Sequence, residues 1–249
     1  MKYILGIDVG GTKIASGLVD KNYKVSKVSI VPTSQTDLIG QLQRLIAGYQ
    51  GFIAIGLGLP GPVMPDGTVT RLPNLKAFKK ANVGKILEKK FKVPVHVMND
   101  AKAFALSEAV LGAGSNFKVV CGVILGTGIG VGIVINKQIY RGKDGVAGEM
   151  EHITLLDGRM IRYYRKMVKS FDQVSQAQKF LRTILSIIVL SFNPDIIILG
   201  GGWSKLNGME RLANQLTKNV GDYETSTPVK ISKLKHAGII GAALPLLKH

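Results

Sequence analysis

Three glycine clusters and a few carboxylates are the parts of this chain best suited to chemistry. Gly10-Gly11-Thr12-Lys13 follows an apolar run that ends in Asp8-Val9. Adjacent glycines let backbone amides come close to an anion, and successive amides form a nest for it. Thr12 adds a hydroxyl and Lys13 a point charge. Asp8 offers the oxygen that Mg2+ takes directly or through water. The stretch is not a P-loop, which needs G-x-x-x-x-G-K-[ST] between a strand and a helix. Here the following "IASGLV" reads as a second strand. A phosphate cradle and a plain Gly-Gly hairpin turn both fit these residues alone.

Gly126-Thr127-Gly128-Ile129-Gly130 repeats the theme. It falls short of the dinucleotide fingerprint, because Val131 stands where the third glycine belongs. Gly200-Gly201-Gly202 follows the apolar run Asp195–Leu199. Strand, glycines, then helix is a place where a base or ribose lies flat against backbone. Asn99-Asp100 sits between a strand and a helix. A carboxylate there serves as a general base or as the helix N-cap. "AGEMEH" brings Glu149, Glu151 and His152 within four residues, which suits a polyol ligand or a solvated polar turn.

The elements that must position these groups read as an α/β pattern given twice. Tyr3–Val9, Ile14–Val19 and Val25–Val31 form a three-strand meander, and "DLIGQLQRLIAGY" follows with helical spacing behind Asp37. "GFIAIGLGLPGPV" is a buried strand, "FKKANVGKILEKKF" a helix, "VPVHVMND" a strand and "AKAFALSEAVLGAG" a helix. The pattern then restarts with "KVVCGVILGTG", "GVGIVINK" and "QIYRG". A long helix, "VSQAQKFLRTILSIIVLSF", precedes the strands "NPDIIILGGG" and "PVKISKL" and the terminal helix "AGIIGAALPLL". The turn-rich "GAGSN" marks the boundary. We expect an N-terminal domain over 1–113 and a larger C-terminal domain over 114–235, with the helix in 236–249 packing back on the first.

The 249 residues suffice for two cores. No apolar run reaches the roughly 18–20 residues that span a bilayer, so a cytoplasmic protein without a membrane partner is expected. The single cysteine, Cys121, excludes an intrachain disulfide and lies in an apolar strand, where it is buried and inert. The net charge of +17 either fills a solvated surface with lysine or favours polyanions. Charge alone gives no specific nucleic-acid site.

Taken in order, "GIDVGGTKIASGLVD", "GLGLPGPV", "NLKAF", "VMNDAKAFALSEA", "GVILGTGIGVGIVINKQIYRG", "GVAGEMEH", "NPDIIILGGGWSK" and "AGIIGAA" cover nearly the whole chain. On these pieces it resembles the ROK sugar kinases of the actin/hexokinase-like ATPase superfamily. The resemblance implies two RNase H-like α/β domains with an active-site cleft between them. It puts Asp8, Gly10, Gly11, Thr12 and Lys13 toward phosphates and Mg2+, with Asp8 the metal contact. Gly126, Thr127 and Gly128 become the second phosphate loop, and Gly200, Gly201 and Gly202 lie near adenosine. Asp100 matches the catalytic base, and Asn74, Asn99, Glu149 and His152 match sugar ligands.

The implied reaction is transfer of the terminal phosphoryl group of ATP to a hexose hydroxyl, O6 of glucose first. Polyphosphate as donor, other hexoses or N-acetylhexosamines as acceptors, and a non-catalytic sugar- or nucleotide-binding homologue are the alternatives. The family commonly carries "GEIGH" and then a cysteine-rich zinc motif. Here Glu151 replaces the second glycine and no cysteine follows, so no structural zinc is expected. A short form without zinc is similar to the polyphosphate-glucokinase branch. The stretch in that place carries Arg159, Arg162, Arg165, Lys166 and Lys169, either a solvated helix face or a rim that steers a polyanion. Relatives are often homodimers.

Overall fold

The computed structural model describes residues 2–72, 78–126, 128–167 and 174–247. The chain divides into two compact units. The first comprises residues 1–107, 141–146 and 235–249, and the second residues 108–140 and 147–234.

The first unit opens with β1 (Tyr3–Val9), β2 (Lys13–Val19) and β3 (Val25–Pro32), joined as an antiparallel meander. Helix α1 (Leu38–Ala47) leads into β4 (Phe52–Leu59), which pairs parallel to β1. The short strands β5 (Thr68–Val69) and β6 (Ala81–Asn82) pair with each other before α2 (Val83–Phe91). Strand β7 (Val95–Asn99) then pairs parallel to β4, and α3 (Asp100–Val110) follows without a break. The sheet order is β3-β2-β1-β4-β7.

Asp37 caps α1 by accepting from the Gly40 amide at 2.9 Å, as its place before the periodic run predicts. Helix α2 is shorter than the apolar pattern from Phe78 suggests. Asn82 accepts from the Lys85 amide at 2.9 Å and starts the helix there, and Ala81 and Asn82 are already paired as β6.

The second unit rebuilds the same sheet. Strands β8 (Val119–Leu125), β9 (Ile129–Ile135) and β10 (Gln138–Tyr140) form its meander. Helices α4 (Ile161–Met167) and α5 (Val174–Phe192) precede β11 (Ile196–Gly200), which runs parallel to β8. Helix α6 (Met209–Leu216) and β12 (Val229–Ile231) complete it in the order β10-β9-β8-β11-β12. Its core packs Cys121, Val123, Leu125, Val131 and Ile133 with Ile184, Leu185 and Ile188 of α5 and Ala213 and Leu216 of α6. Burial pushes the Cys121 thiol up to about 12, so it stays protonated and inert.

The last helix, α7 (Ala237–Leu247), belongs to the first unit. Strand β1 alternates between two cores. Leu5, Ile7 and Val9 join Leu42 and Ile46 of α1 and Val83 and Leu87 of α2. Ile4 faces the other way, with Val19, Ala54, Ile239 and Ala243. Backbone meets backbone on that second face. A Cβ on Gly6 would stand 2.3 Å from the Ile239 carbonyl oxygen, and one on Gly56 2.0 Å from that of Ala242. Only glycine lets α7 lie this close to β1 and β4. No helix among the described residues is long and apolar enough to cross a membrane.

Gly56→Ala therefore forces α7 off the sheet, because its obstacle is backbone and cannot rotate away. We expect a loss of about 1–3 kcal/mol, the usual range for overpacking, read as a lower Tm in thermal denaturation. An unchanged Tm would show that α7 is not seated as described.

Candidate active site

In the first unit, the alternation of β1 carries Asp8 to the same side as Ile4 and Gly6. A Cβ on Gly238 would lie 2.1 Å from Asp8 Oδ2, so the carboxylate rests against the first turn of α7. A helix N-terminus favours a negative charge there. Burial acts the other way and pushes the Asp8 carboxyl up to about 6, with the Lys13 ammonium opposing the rise.

The β1–β2 hairpin is closed by Gly10 N donating to Lys13 O at 2.8 Å. Residues just beyond β3 hold its carbonyls. Thr33 N donates to Thr12 O at 3.0 Å, Thr33 Oγ1 to Gly10 O at 2.8 Å, and Gln35 Nε2 to Gly11 O at 3.1 Å. No acceptor among the described residues meets the amides of Gly11 and Thr12. Fixed carbonyls with amides left to an outside acceptor are the polarity that an anion requires. No group of three or more His, Cys, Asp or Glu among the described residues could hold a metal ion. A lone carboxylate fits Mg2+, which is commonly held by one or two carboxylates together with substrate phosphates and waters. Asp8 is thus suited to a metal that arrives with a nucleotide.

At the β7–α3 junction the capping role falls on Asn99, not Asp100. Asn99 is 7% exposed; its Oδ1 accepts from the Lys102 amide at 3.1 Å, and its Nδ2 donates to Gly61 O at 3.1 Å. Both ends of the amide are engaged, so Asn99 anchors the junction to the Gly/Pro loop after β4. Asp100 begins the helix and accepts from the Ala101 amide at 2.8 Å.

Lys102, 4% exposed, donates from Nζ to Gly145 O. Arg141 Nη2 donates to His96 Nε2 at 3.0 Å. Burial, and then the Arg141 charge, push the His96 imidazole down to about 4, so it is a neutral acceptor at neutral pH. These two bonds hold residues 141–146 in the first unit. The local sequence pattern alone assigns Lys102 no role. Its signal is a lone ammonium in an otherwise small, apolar helix stretch, "DAKAFALSEA".

In the second unit, Gly126 N donates to Gly128 O at 3.0 Å across the β8–β9 turn. Gly201, at φ 85°, sits so close to Leu125 that a Cβ would be 2.4 Å from its carbonyl oxygen. The third glycine cluster is therefore packed against the residue that leads into the second. Arg165 joins them again. Its guanidinium lies 4.1 Å over the Trp203 ring and donates from Nη2 to Gly126 O. Of the basic stretch, then, Arg165 is not on a solvated face.

Glu149 precedes the short 3-10 helix Met150–His152. Glu151 Oε1 lies 3.6 Å from His152 Nε2, and Glu151 Oε2 accepts from the Ile129 amide at 3.3 Å. Asn74, Thr127 and Lys169 lie outside the described residues.

A five-stranded sheet built twice, each with a glycine hairpin between its first two strands, defines the class as the actin-like ATPase fold. The ROK family matches residues 4–163. An N-acetyl-D-glucosamine kinase of Vibrio vulnificus (strain YJ016) is 29% identical over 302 aligned positions, covering 98% of this chain and 99% of the relative. The ROK hexokinase from Thermus thermophilus superposes with a TM-score of 0.77 at 28% identity, covering 97% of each chain. A ROK family glucokinase from Streptomyces griseus, in complex with glucose and AMPPNP, gives a TM-score of 0.79 at 25% identity over 98% of each. The chain belongs to the ROK family, and it is a phosphotransferase of the sugar-kinase class.

The raised Asp8 carboxyl has a sign that can be checked. Its folded form binds a proton more readily than the unfolded chain, so ionising it costs stability once pH rises through about 6. Asp8→Asn removes that cost. Its Tm should exceed that of the wild type at pH 7, by the equivalent of about 1–2 kcal/mol once partial exposure is discounted. The difference should vanish as pH falls toward 4. A variant less stable at pH 7 would overturn the assignment.

Proposed function

We propose that this chain transfers the terminal phosphoryl group of ATP to the 6-hydroxyl of glucose, with Asp100 as the base. The observation that carries the reading is the β7–α3 junction. There Asn99 caps the helix and anchors to Gly61, so Asp100 is presented from two rigid elements without serving as the cap. The acceptor hydroxyl attacks the terminal phosphorus in line, Asp100 takes its proton, and the bond to the ADP oxygen breaks. Little covalent work falls to the protein in such a transfer, and positioning and electrostatics supply most of the acceleration.

The amides of Gly11 and Thr12, the Thr12 hydroxyl and the Lys13 ammonium serve the donor phosphates. Gly126, Thr127 and Gly128 do the same from the second hairpin, and Gly200, Gly201 and Gly202 serve the adenosine. Mg2+, when bound, neutralises charge on the donor phosphates, and Asp8 is the residue that would hold it. Glu149, His152 and Asn74 are the residues assigned to sugar hydroxyls. Asn99 acts first by fixing Asp100. Glucose is favoured because the Streptomyces griseus relative was captured with glucose and an ATP analogue. The Vibrio vulnificus relative favours a second acceptor, N-acetylglucosamine.

A donor-by-sugar activity matrix tests the reading. ATP and long-chain polyphosphate are each paired with glucose, N-acetylglucosamine, N-acetylmannosamine, fructose and allose. The expected outcome is the highest kcat/KM with ATP and glucose. Sugar binding by calorimetry with no product from any pair would instead mark a non-catalytic binding protein. Asp100→Asn should fold and bind sugar but lose about 10²–10⁴-fold in kcat, the share of a general base. A variant within tenfold of the wild-type kcat would remove Asp100 from that role.

A further inference from the structure

Two side chains of opposite charge grip the β8–β9 hairpin from opposite polarities of its backbone. The Arg165 guanidinium is bonded to the carbonyl of Gly126. The Glu151 carboxylate is bonded to the amide of Ile129 through Oε2 at 3.3 Å. It also covers Gly128, where a Cβ would stand 2.8 Å from the same oxygen. Its other oxygen faces His152 Nε2 at 3.6 Å. Both side chains come from the stretch that follows residues 141–146. The Glu151 side chain is 17% exposed, so the carboxylate lies against the hairpin and not out in solvent.

An amide at the mouth of a glycine hairpin is the kind of group that would donate to a phosphate oxygen. Here it already donates to a carboxylate. A phosphate that approached the same backbone would meet a full negative charge at near-contact distance.

We propose that Glu151 sets the affinity for the phosphoryl donor. Its carboxylate competes with donor phosphates for the amide side of the second hairpin and holds donor affinity down. The proposal rests on the reading that this hairpin faces the donor. Arg165 acts in the opposite sense, since its positive charge stays beside the hairpin whichever anion is bound. The donor affinity of this chain is then set by a balance between two residues of one segment. A hairpin lined by backbone alone would have no such adjustable term.

Glu151→Gln keeps the shape and the acceptor oxygen and removes the charge. Isothermal titration with inorganic tripolyphosphate, and separately with AMPPNP, should show about tenfold tighter binding than wild type. That is the order of one like-charge contact at about 4 Å when water screens the pair. In steady state the KM for the donor should fall by a similar factor, with a smaller change in kcat. Glu151→Ala should shift affinity in the same direction and serves if the glutamine variant folds poorly, with Tm measured for both.

A purely structural role predicts weaker or unchanged anion binding, and that result in a folded variant overturns the proposal. The binding arm does not depend on turnover. If no sugar and donor give product, the kinase reading fails while the tripolyphosphate titration still decides the role of Glu151. If the wild type is an active kinase and the glutamine variant binds anions no better, the Glu151 proposal fails alone.

Discussion

The packing of α7 on β1 and β4 is the constraint on which the first unit depends. Gly6 and Gly56 remove the side chains that would keep the helix away, and the helix backbone settles into the space. The same contact sets the environment of Asp8. The residue follows Ile4 and Gly6 on one face of β1, so a strand that buries α7 must also bring its carboxylate to the first turn of that helix. The position of the proposed metal contact is thus a by-product of core packing. Its raised proton affinity follows from the burial that packing imposes. A site group held at an energetic cost is common where function demands the charge.

The two sheets share an order of strands but not the chemistry at their hairpins. Gly6 pairs with Gly17 in the first and Gly122 with Gly132 in the second, which puts the two meanders in register. In that register Asp8 corresponds to Ile124. The first hairpin therefore draws a carboxylate from its own strand and the second cannot. The carboxylate that meets the second hairpin is Glu151, supplied by a different segment. Repetition of a fold has conserved the backbone geometry and left the charges to be arranged separately in each copy.

Much of this architecture could be read from residue order. The meander of β1–β3, the Asp37 cap, the span of α5 and the span of α7 follow from period, capping chemistry and turn residues, which are local properties. The placement of the glycine clusters at strand ends was legible for the same reason. What local pattern did not reveal was the choice of partner. Asn99 and Asp100 are both good caps, and the structure gives the role to Asn99, whose Oδ1 accepts from the Lys102 amide while its Nδ2 reaches Gly61 O. Arg165 looked like one of five basic residues on a helix, because stacking on Trp203 requires two segments far apart in sequence to meet. Helix α2 began later than its apolar pattern, because β6 had already claimed Ala81 and Asn82.

The membership of α7 in the first unit also bears on how the chain is made. Domains emerging from a ribosome ordinarily fold in order, the N-terminal one first. Here the first unit lacks the cover for one face of its sheet until residues 237–247 have been synthesised. The second unit, confined to residues 108–140 and 147–234, has all its strands and helices earlier. During synthesis the glycine-lined face of β1 and β4 waits uncovered while the later half of the molecule assembles. The last helix to be made is the piece that completes the first sheet to be made.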